Sequence, residues 1–425
     1  MNIVHERCAG LDVHKRSIMA CVSLWGAGGK ADKSIRQFGT MTADIFALAE
    51  WLEEHKVTHV AMESTGVYWK PIYNLLDERF KLLLCNAKHF KQVPGRKTDV
   101  KDCEWIADLL QHGLMRASFV PSRPQRELRD LTRQRALLTK ERAAVRNRIE
   151  KVLEDANIKL AAVATDILGL SGRDMLNAIA AGKTSAAELA QLARGKMKAK
   201  RAELTAALSG GVTDHHRFML KMFLEHIDSV ETFIVRIDTR LEALMADADQ
   251  APGESQSEAS IIPFAEAVEL LDTIPGVDVV GARAILAEIG TDMSRFPTAA
   301  HLASWAGVCP GNNRSAGRSR SGKTTGGSRW LRQILGQCAS AAARTRDTYL
   351  RALYRRLARG GAKRAVVAVS HAILKIAYAL LTRRTPYKDL GPDYFDLLQR
   401  DRRVVYHRKR LEALGYDVDI TEKAA

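Results

Sequence analysis

Short apolar runs alternate with helical periodicities over the first 115 residues of the chain. Strands are predicted at 7–13, 17–24, 34–39, 57–63 and 81–86, the first and fourth reading as buried by length, β-branching and flanks. Apolar positions three and four apart predict helices at 42–55, 67–79 and 99–112. Three strands followed by helix, strand, helix, strand, helix describe an α/β domain. Beyond it the period is helical. Residues 124–160 set Leu128, Leu131, Leu138, Val145, Ile149 and Val152 at helical spacing, with Arg135 and Arg142 intruding on the seam. Residues 218–246 carry a cleaner seam, Leu220, Phe223, Ile227, Val230, Ile234, Ile237, Leu241 and Leu244, whose steps of three and four predict a coiled coil. Its partner is expected to be 124–160, antiparallel, or a second subunit. A polar stretch at 250–260 precedes a mostly helical segment, and a charged tail closes the chain. The organisation reads as an α/β domain over 1–120, a helical coiled-coil region over 121–260, a helical domain over 261–395 and a charged tail over 396–425. No internal repeat is present.

Charge changes this picture. The 425 residues carry a formal net charge of +16, which calls for a polyanionic partner, most simply nucleic acid. From Arg314 to Arg364 there are fourteen Lys or Arg against one acid, Asp347, an imbalance that predicts a phosphate track rather than a merely solvated face. The six cysteines form no CxxC pair, which argues against zinc sites and disulfides and fits a reducing cytoplasm. The N-terminus lacks the apolar core of a signal peptide, and no uninterrupted apolar stretch is long enough to span a bilayer, so no membrane association is expected.

Four carboxylates stand out against the predicted elements. Asp12 lies inside the first strand, Glu63 ends the fourth, and Asp99 and Asp102 open the last helix on one of its faces. That placement is the one an RNase H-like fold gives its metal-binding acids. The bland alternative, helix capping, covers Asp99 but not all four. Buried carboxylates brought together repel, so they call for a cation or raised pKa values. Hard oxygen ligands favour Mg²⁺ or Mn²⁺, and two such ions suit phosphodiester chemistry.

The C-terminal half offers two motifs. Residues 271–290 match a helix-hairpin-helix in which Pro275 and Gly276 form the turn, and the next helix would present free N–H groups to a phosphate without reading sequence. Gly317 to Thr324 formally fits the P-loop pattern. The preceding Pro310-Gly311-Asn312-Asn313-Arg314 is turn chemistry rather than a buried strand, so that reading is rejected. The segment reads instead as a flexible, basic, hydroxyl-rich loop holding Arg314, Ser315, Arg318, Ser319, Arg320, Ser321 and Lys323, followed by Arg329 and Arg332.

These blocks together resemble the DEDD insertion-sequence transposases of the family numbered one hundred and ten, which includes relatives of the Piv DNA invertase. Leu11-Asp12-Val13-His14-Lys15, Glu63-Ser64-Thr65-Gly66-Val67-Tyr68, Asn86-Ala87 and Lys97-Thr98-Asp99-Val100-Lys101-Asp102 carry the N-terminal likeness. Ile274-Pro275-Gly276, Trp305-Ala306-Gly307, Pro310, Ser315-Ala316-Gly317 and Trp330-Leu331-Arg332 carry the C-terminal one. The resemblance implies a RuvC-like nuclease domain, a coiled-coil arm and a helical transposase domain. It also implies a recombinase guided by a structured non-coding (bridge or seek) RNA, acting on donor and target DNA as a homo-oligomer, a dimer or tetramer. It further implies a serine nucleophile that completes the active site with the four acids. By motif position that serine is Ser315, with Ser319 or Ser321 as alternatives. The competing reading is a junction-resolving nuclease that uses the acids and water without a covalent intermediate. A third is a non-catalytic nucleic-acid scaffold.

Overall fold

The computed structural model describes residues 3–26, 29–64, 66–85, 99–115, 117–250, 262–310, 313–315, 318–321, 324, 326–398 and 400–419. By its contacts the chain divides into two compact units, Met1–Pro121 and Ser122–Ala425.

In the first unit, β1 (Arg7–Val13), β2 (Ile18–Trp25), β3 (Ala31–Phe38), β4 (His59–Glu63) and β5 (Lys81–Cys85) form one mixed sheet, ordered β3-β2-β1-β4-β5. β1 runs antiparallel to β2 and parallel to β4, and β4 runs parallel to β5. The predicted strands and helices occur with ends shifted by up to three residues. Asp12 is the penultimate residue of β1 rather than its middle. The two faces of the sheet follow from strand alternation. Ala9, Leu11 and Val13 of β1 and Val60 and Met62 of β4 pack with Ile45, Leu48 and Leu52 of α1 (Thr42–Glu54) and Ile72 and Leu76 of α2 (Trp69–Leu76). Cys8 and Ala61 turn the other way, toward Ile106 and Leu110 of α3 (Asp99–Gln111). Gly10 allows α3 to lie directly on β1: a Cβ there would collide with the Cys103 carbonyl and the Ala107 nitrogen.

In the second unit, α4 (Arg123–Asp155) and α5 (Asp214–Gln250) run antiparallel. The direction is set by pairs that climb one helix while descending the other: Arg135–Asp238 at 2.6 Å, Arg142–Glu231 at 2.6 Å and His216–Asp155 at 2.8 Å. Arg135 and Arg142, which seemed to spoil the seam in the sequence, are thereby paired across it. Leu220, Phe223 and Ile227 are buried with Val145, Ile149 and Leu153 and with short helices between residues 160 and 207. At Leu220, Phe223 and Ile227 the seam is therefore satisfied within the chain, and Ile227 is not free to hold a second subunit. Ile227→Asp should unfold this region, lowering stability by about 3 kcal/mol or more through the unpaired buried charge. Thermal melts followed by circular dichroism would show it; an unchanged melt with a lower mass by light scattering would mean instead that Ile227 is a subunit contact.

The C-terminal core gathers α6 (Phe264–Asp272), α7 (Val279–Ile289), α8 (Arg329–Ala342), α9 (Tyr349–Ala358) and α10 (Ala362–Arg383). α10 is long and apolar enough to cross a membrane by length and composition alone, although its apolar run is not uninterrupted. His371 and Lys375 interrupt that run. Its Val369, Ile373, Leu374 and Ala377 belong to the core, the usual position of such a helix in a folded domain.

Candidate active site and nucleic-acid surface

Alternation along β1 and β4 sends Asp12 and Glu63 to the face covered by α3. Leu11 is in register with Met62, so Asp12 and Glu63 stand at the next rung of adjacent parallel strands. Asp102 lies one turn into α3, the helix that Gly10 seats on β1. Burial raises the Asp12 carboxyl above its usual range; His14 opposes this, and the charges of Asp102 and Glu63 raise it further. The Asp12 side chain is 13 % exposed, and its Oδ2 is 3.0 Å from His14 Nε2. Three of the four predicted acids therefore share one electrostatic field. Asp99 is the first residue of α3, with a side chain outside the described set.

Among the described residues no group of three or more His, Cys, Asp or Glu is close enough to hold a metal ion. The donor chemistry nevertheless fits one. A partly desolvated Asp12 that feels the charges of Asp102 and Glu63 is what a hard divalent cation relieves. His14, which the sequence presented only as part of a motif, is the residue that now steadies Asp12.

The basic segment of the second unit departs from expectation. Instead of a flexible loop, β6 (Asn313–Ser315) and β7 (Arg318–Ser321) form a hairpin with Ser315 opposite Arg318, Arg314 opposite Ser319 and Asn313 opposite Ser321. An isolated bridge, Pro310 with Thr324, closes its base. The strands were invisible in the sequence because Asn313–Ser315 and Arg318–Ser321 contain no apolar residue; only backbone pairing reveals them. The ladder also agrees with rejecting a P-loop. Arg320 lies on β7, and Lys323 lies outside the described residues.

Beyond the hairpin the chain is tightly anchored. A Cβ on Gly327 would collide with the backbone of Ala306 and Gly307. Ser328 caps α8 by accepting from the Leu331 N–H. Arg329 lies over the Trp330 ring at 4.8 Å, and Arg332 is exposed on the same helix. In the helix-hairpin-helix, Gly276 has φ +86°, and a side chain there would strike Ala342 of α8. Asp278 already accepts from the Gly281 N–H at 2.7 Å, taking one of the donors expected for a phosphate.

Sequence reasoning missed one cluster entirely. Glu288 of α7 is 2 % exposed. Arg133 of α4 donates to it from Nε at 2.8 Å and from a second guanidinium nitrogen at 3.1 Å. Ser328 Oγ donates to Glu288 Oε2 at 3.1 Å, the oxygen that also accepts from the second Arg133 nitrogen. Arg129 donates to the Ala287 and Glu288 carbonyls. Burial pushes its guanidinium down to about 10, with Glu288 opposing. This cluster ties the long helix α4 to the residue that ends the basic hairpin segment. The hint in the sequence was a lone acid in the apolar run Ala284-Ile285-Leu286-Ala287-Glu288-Ile289.

Comparison with known proteins follows this geometry. Residues 9–158, spanning β1 to the end of α4, match the IS110 DEDD transposase model. Residues 268–355, spanning the helix-hairpin-helix, the basic hairpin and α8, match the model described as "Transposase IS116/IS110/IS902 family". The chain belongs to the IS110 family of DEDD transposases. Its relatives include the "Probable family 20 transposase" of Pseudomonas aeruginosa PAO1, 25 % identical over 338 residues that cover 77 % of this chain and 85 % of the relative. They also include the "Insertion element IS110 uncharacterized 43.6 kDa protein" of Streptomyces coelicolor A3(2), 35 % identical over 142 residues, which cover 32 % of this chain and 34 % of that protein. As an IS110-family transposase the chain is an enzyme that acts on DNA, and DEDD transposases generally depend on a divalent metal ion.

Proposed function

We propose that this transposase is an RNA-guided, site-specific recombinase that cuts and rejoins DNA through a phosphoserine intermediate. In this reading residues 1–120 are an RNase H-like (RuvC-like) domain. Residues 121–260 are a coiled-coil arm, 261–395 the helical transposase domain and 396–425 a charged tail. The observation that carries the reading is the shared field of Asp12, Glu63 and Asp102 on the α3 face of the sheet, with Asp99 one turn ahead. These four acids would hold Mg²⁺ or Mn²⁺. Bound there, the ion supplies charge neutralisation at the reacting phosphate.

Ser315 is the proposed nucleophile. Its hydroxyl oxygen attacks phosphorus, the P–O bond to one deoxyribose oxygen breaks, and that oxygen leaves with a proton. One phosphodiester replaces another, so the break can be resealed without an external energy source; attack by water forfeits that. Arg314 and Arg318, flanking Ser315, suit the scissile phosphate. Pro275, Gly276, Arg320, Lys323, Arg329 and Arg332 would hold the DNA backbone nearby. The cationic excess also suits a structured guide RNA, and the protein would act in the cytoplasm as a homo-oligomer.

A suicide DNA substrate tests this. Wild type should yield a protein–DNA adduct stable to denaturant, and Ser315→Ala should lose the adduct while still binding DNA. Peptide mapping would assign the hydroxyl among Ser315, Ser319 and Ser321. Cleavage without any adduct would favour the water-using nuclease.

A further inference from the structure

Beside the base of the hairpin lies a cavity of about 350 Å³, between α8 and α10. Thr324, whose bridge to Pro310 closes the hairpin, is one of its walls. Val366 and Val367 of α10 form an apolar side, and Val367 is 36 % exposed. Arg329 and Arg332 of α8 stand on the other side, and among the described residues no carboxylate pairs with either in a salt bridge. The size falls within the range of small-ligand pockets, roughly 300–1,000 Å³.

Gly336 makes the cavity more than a packing gap. It sits in the interior of α8, where glycine is poorly suited to a helix. At Gly10, Gly276 and Gly327 a neighbouring backbone fills the space a Cβ would need; at Gly336 nothing lies within 4 Å. No packing contact or unusual backbone conformation requires glycine at this position. The position is open to a ligand that approaches the helix backbone closely from the cavity side. The lining describes that ligand: flat enough to lie against Gly336 and two valines, and anionic at the end that meets two arginines. An unpaired nucleotide has both properties.

The geometry points to a pocket that receives one unpaired nucleotide of the DNA strand being cut. The proposal rests on the recombinase reading, because exchanging strands requires bases to leave the duplex. Ser315 is five positions along the chain from Pro310, so the proposed nucleophile is at most about 18 Å from the base of the hairpin. The extruded nucleotide would thus lie within a few steps of the scissile phosphate and help hold the strand in place.

The test uses the full-length chain carrying Ser315→Ala, so that its result does not depend on covalent chemistry. The probe is a DNA duplex with one unpaired 2-aminopurine, matched by an RNA of the same sequence. Binding of the DNA should raise the fluorescence several-fold, since the base leaves its stacked neighbours for a pocket whose lining has no aromatic ring. Gly336→Phe fills the cavity from an open position. It should abolish the rise and weaken binding of this DNA by about tenfold, while a fully paired duplex binds unchanged. Gly336→Ala should retain the rise. Val367→Trp fills the cavity from the opposite wall and guards against a local defect in α8; circular dichroism checks that each variant is folded. The proposal is overturned if the rise survives both filling variants, if the Ser315→Ala chain saturated with this DNA gives none, or if only the RNA produces it. Loss of the serine adduct in wild type, with this result intact, would overturn the nucleophile and leave the pocket standing.

Discussion

Asp12→Ala should abolish strand cleavage by the transposase in Mg²⁺, lowering the rate by about a thousandfold or more, equivalent to about 4 kcal/mol of barrier. Of the four acids Asp12 is the one whose surroundings are best defined. It is 13 % exposed, held by His14, and raised in pKa by burial together with Asp102 and Glu63. Removing it deletes the carboxylate at the centre of the set and relieves the repulsion that would draw in a cation. The fold should persist, because an unpaired, partly buried charge is a cost to stability and alanine does not carry it. DNA binding should also persist, since the fourteen-to-one cationic stretch lies between Arg314 and Arg364. Glu63→Ala and Asp102→Ala should behave alike. Isothermal titration with Mn²⁺ adds a readout independent of activity, in which the variant should lose the site seen in wild type. Wild-type cleavage by Asp12→Ala in Mg²⁺ would remove the acids from the reaction.

Glu288→Ala should destabilise the second unit by about 3–5 kcal/mol, because it strands two guanidiniums in a desolvated site. Arg129 has a side chain only 12 % exposed and is already pushed down to about 10, so it has little water to fall back on. Arg133, at 31 %, can turn toward solvent, and Arg133→Ala should therefore cost less. The loss reaches further than the ion pair. Ser328 bonds to Glu288 and caps α8 directly after the hairpin segment, so its release loosens the anchor of the strands that carry Ser315. Urea denaturation should show a lower midpoint with a similar slope. An unchanged midpoint would mean that the two arginines find other partners.

The sheet was legible because β1, β2 and β4 bury apolar residues in short runs, and the arm because its seam repeats over many turns. The hairpin was not, since Asn313–Ser315 and Arg318–Ser321 have no apolar side for a pattern to report. The Glu288 cluster escaped for another reason. A single acid in an apolar helix announces a partner without naming it, and its partners come from residues about 155 and 40 positions away in the chain.

By itself the sequence determined the order of elements, the presence of acids at the ends of strands and at a helix start, and the cationic excess of the C-terminal half. These are local properties, set by period, propensity and charge. The tertiary structure decided which of those residues meet. Gly10 matters only because α3 crosses β1 there. Asp12 and Glu63 become neighbours through the parallel register of β1 and β4. Arg135 and Arg142 turn from flaws in a seam into its cross-links because α5 runs antiparallel with acids opposite them. Gly336 becomes informative only once the space beside it proves open. Each is a relation between segments distant in the chain, and no local pattern encodes the distance between them.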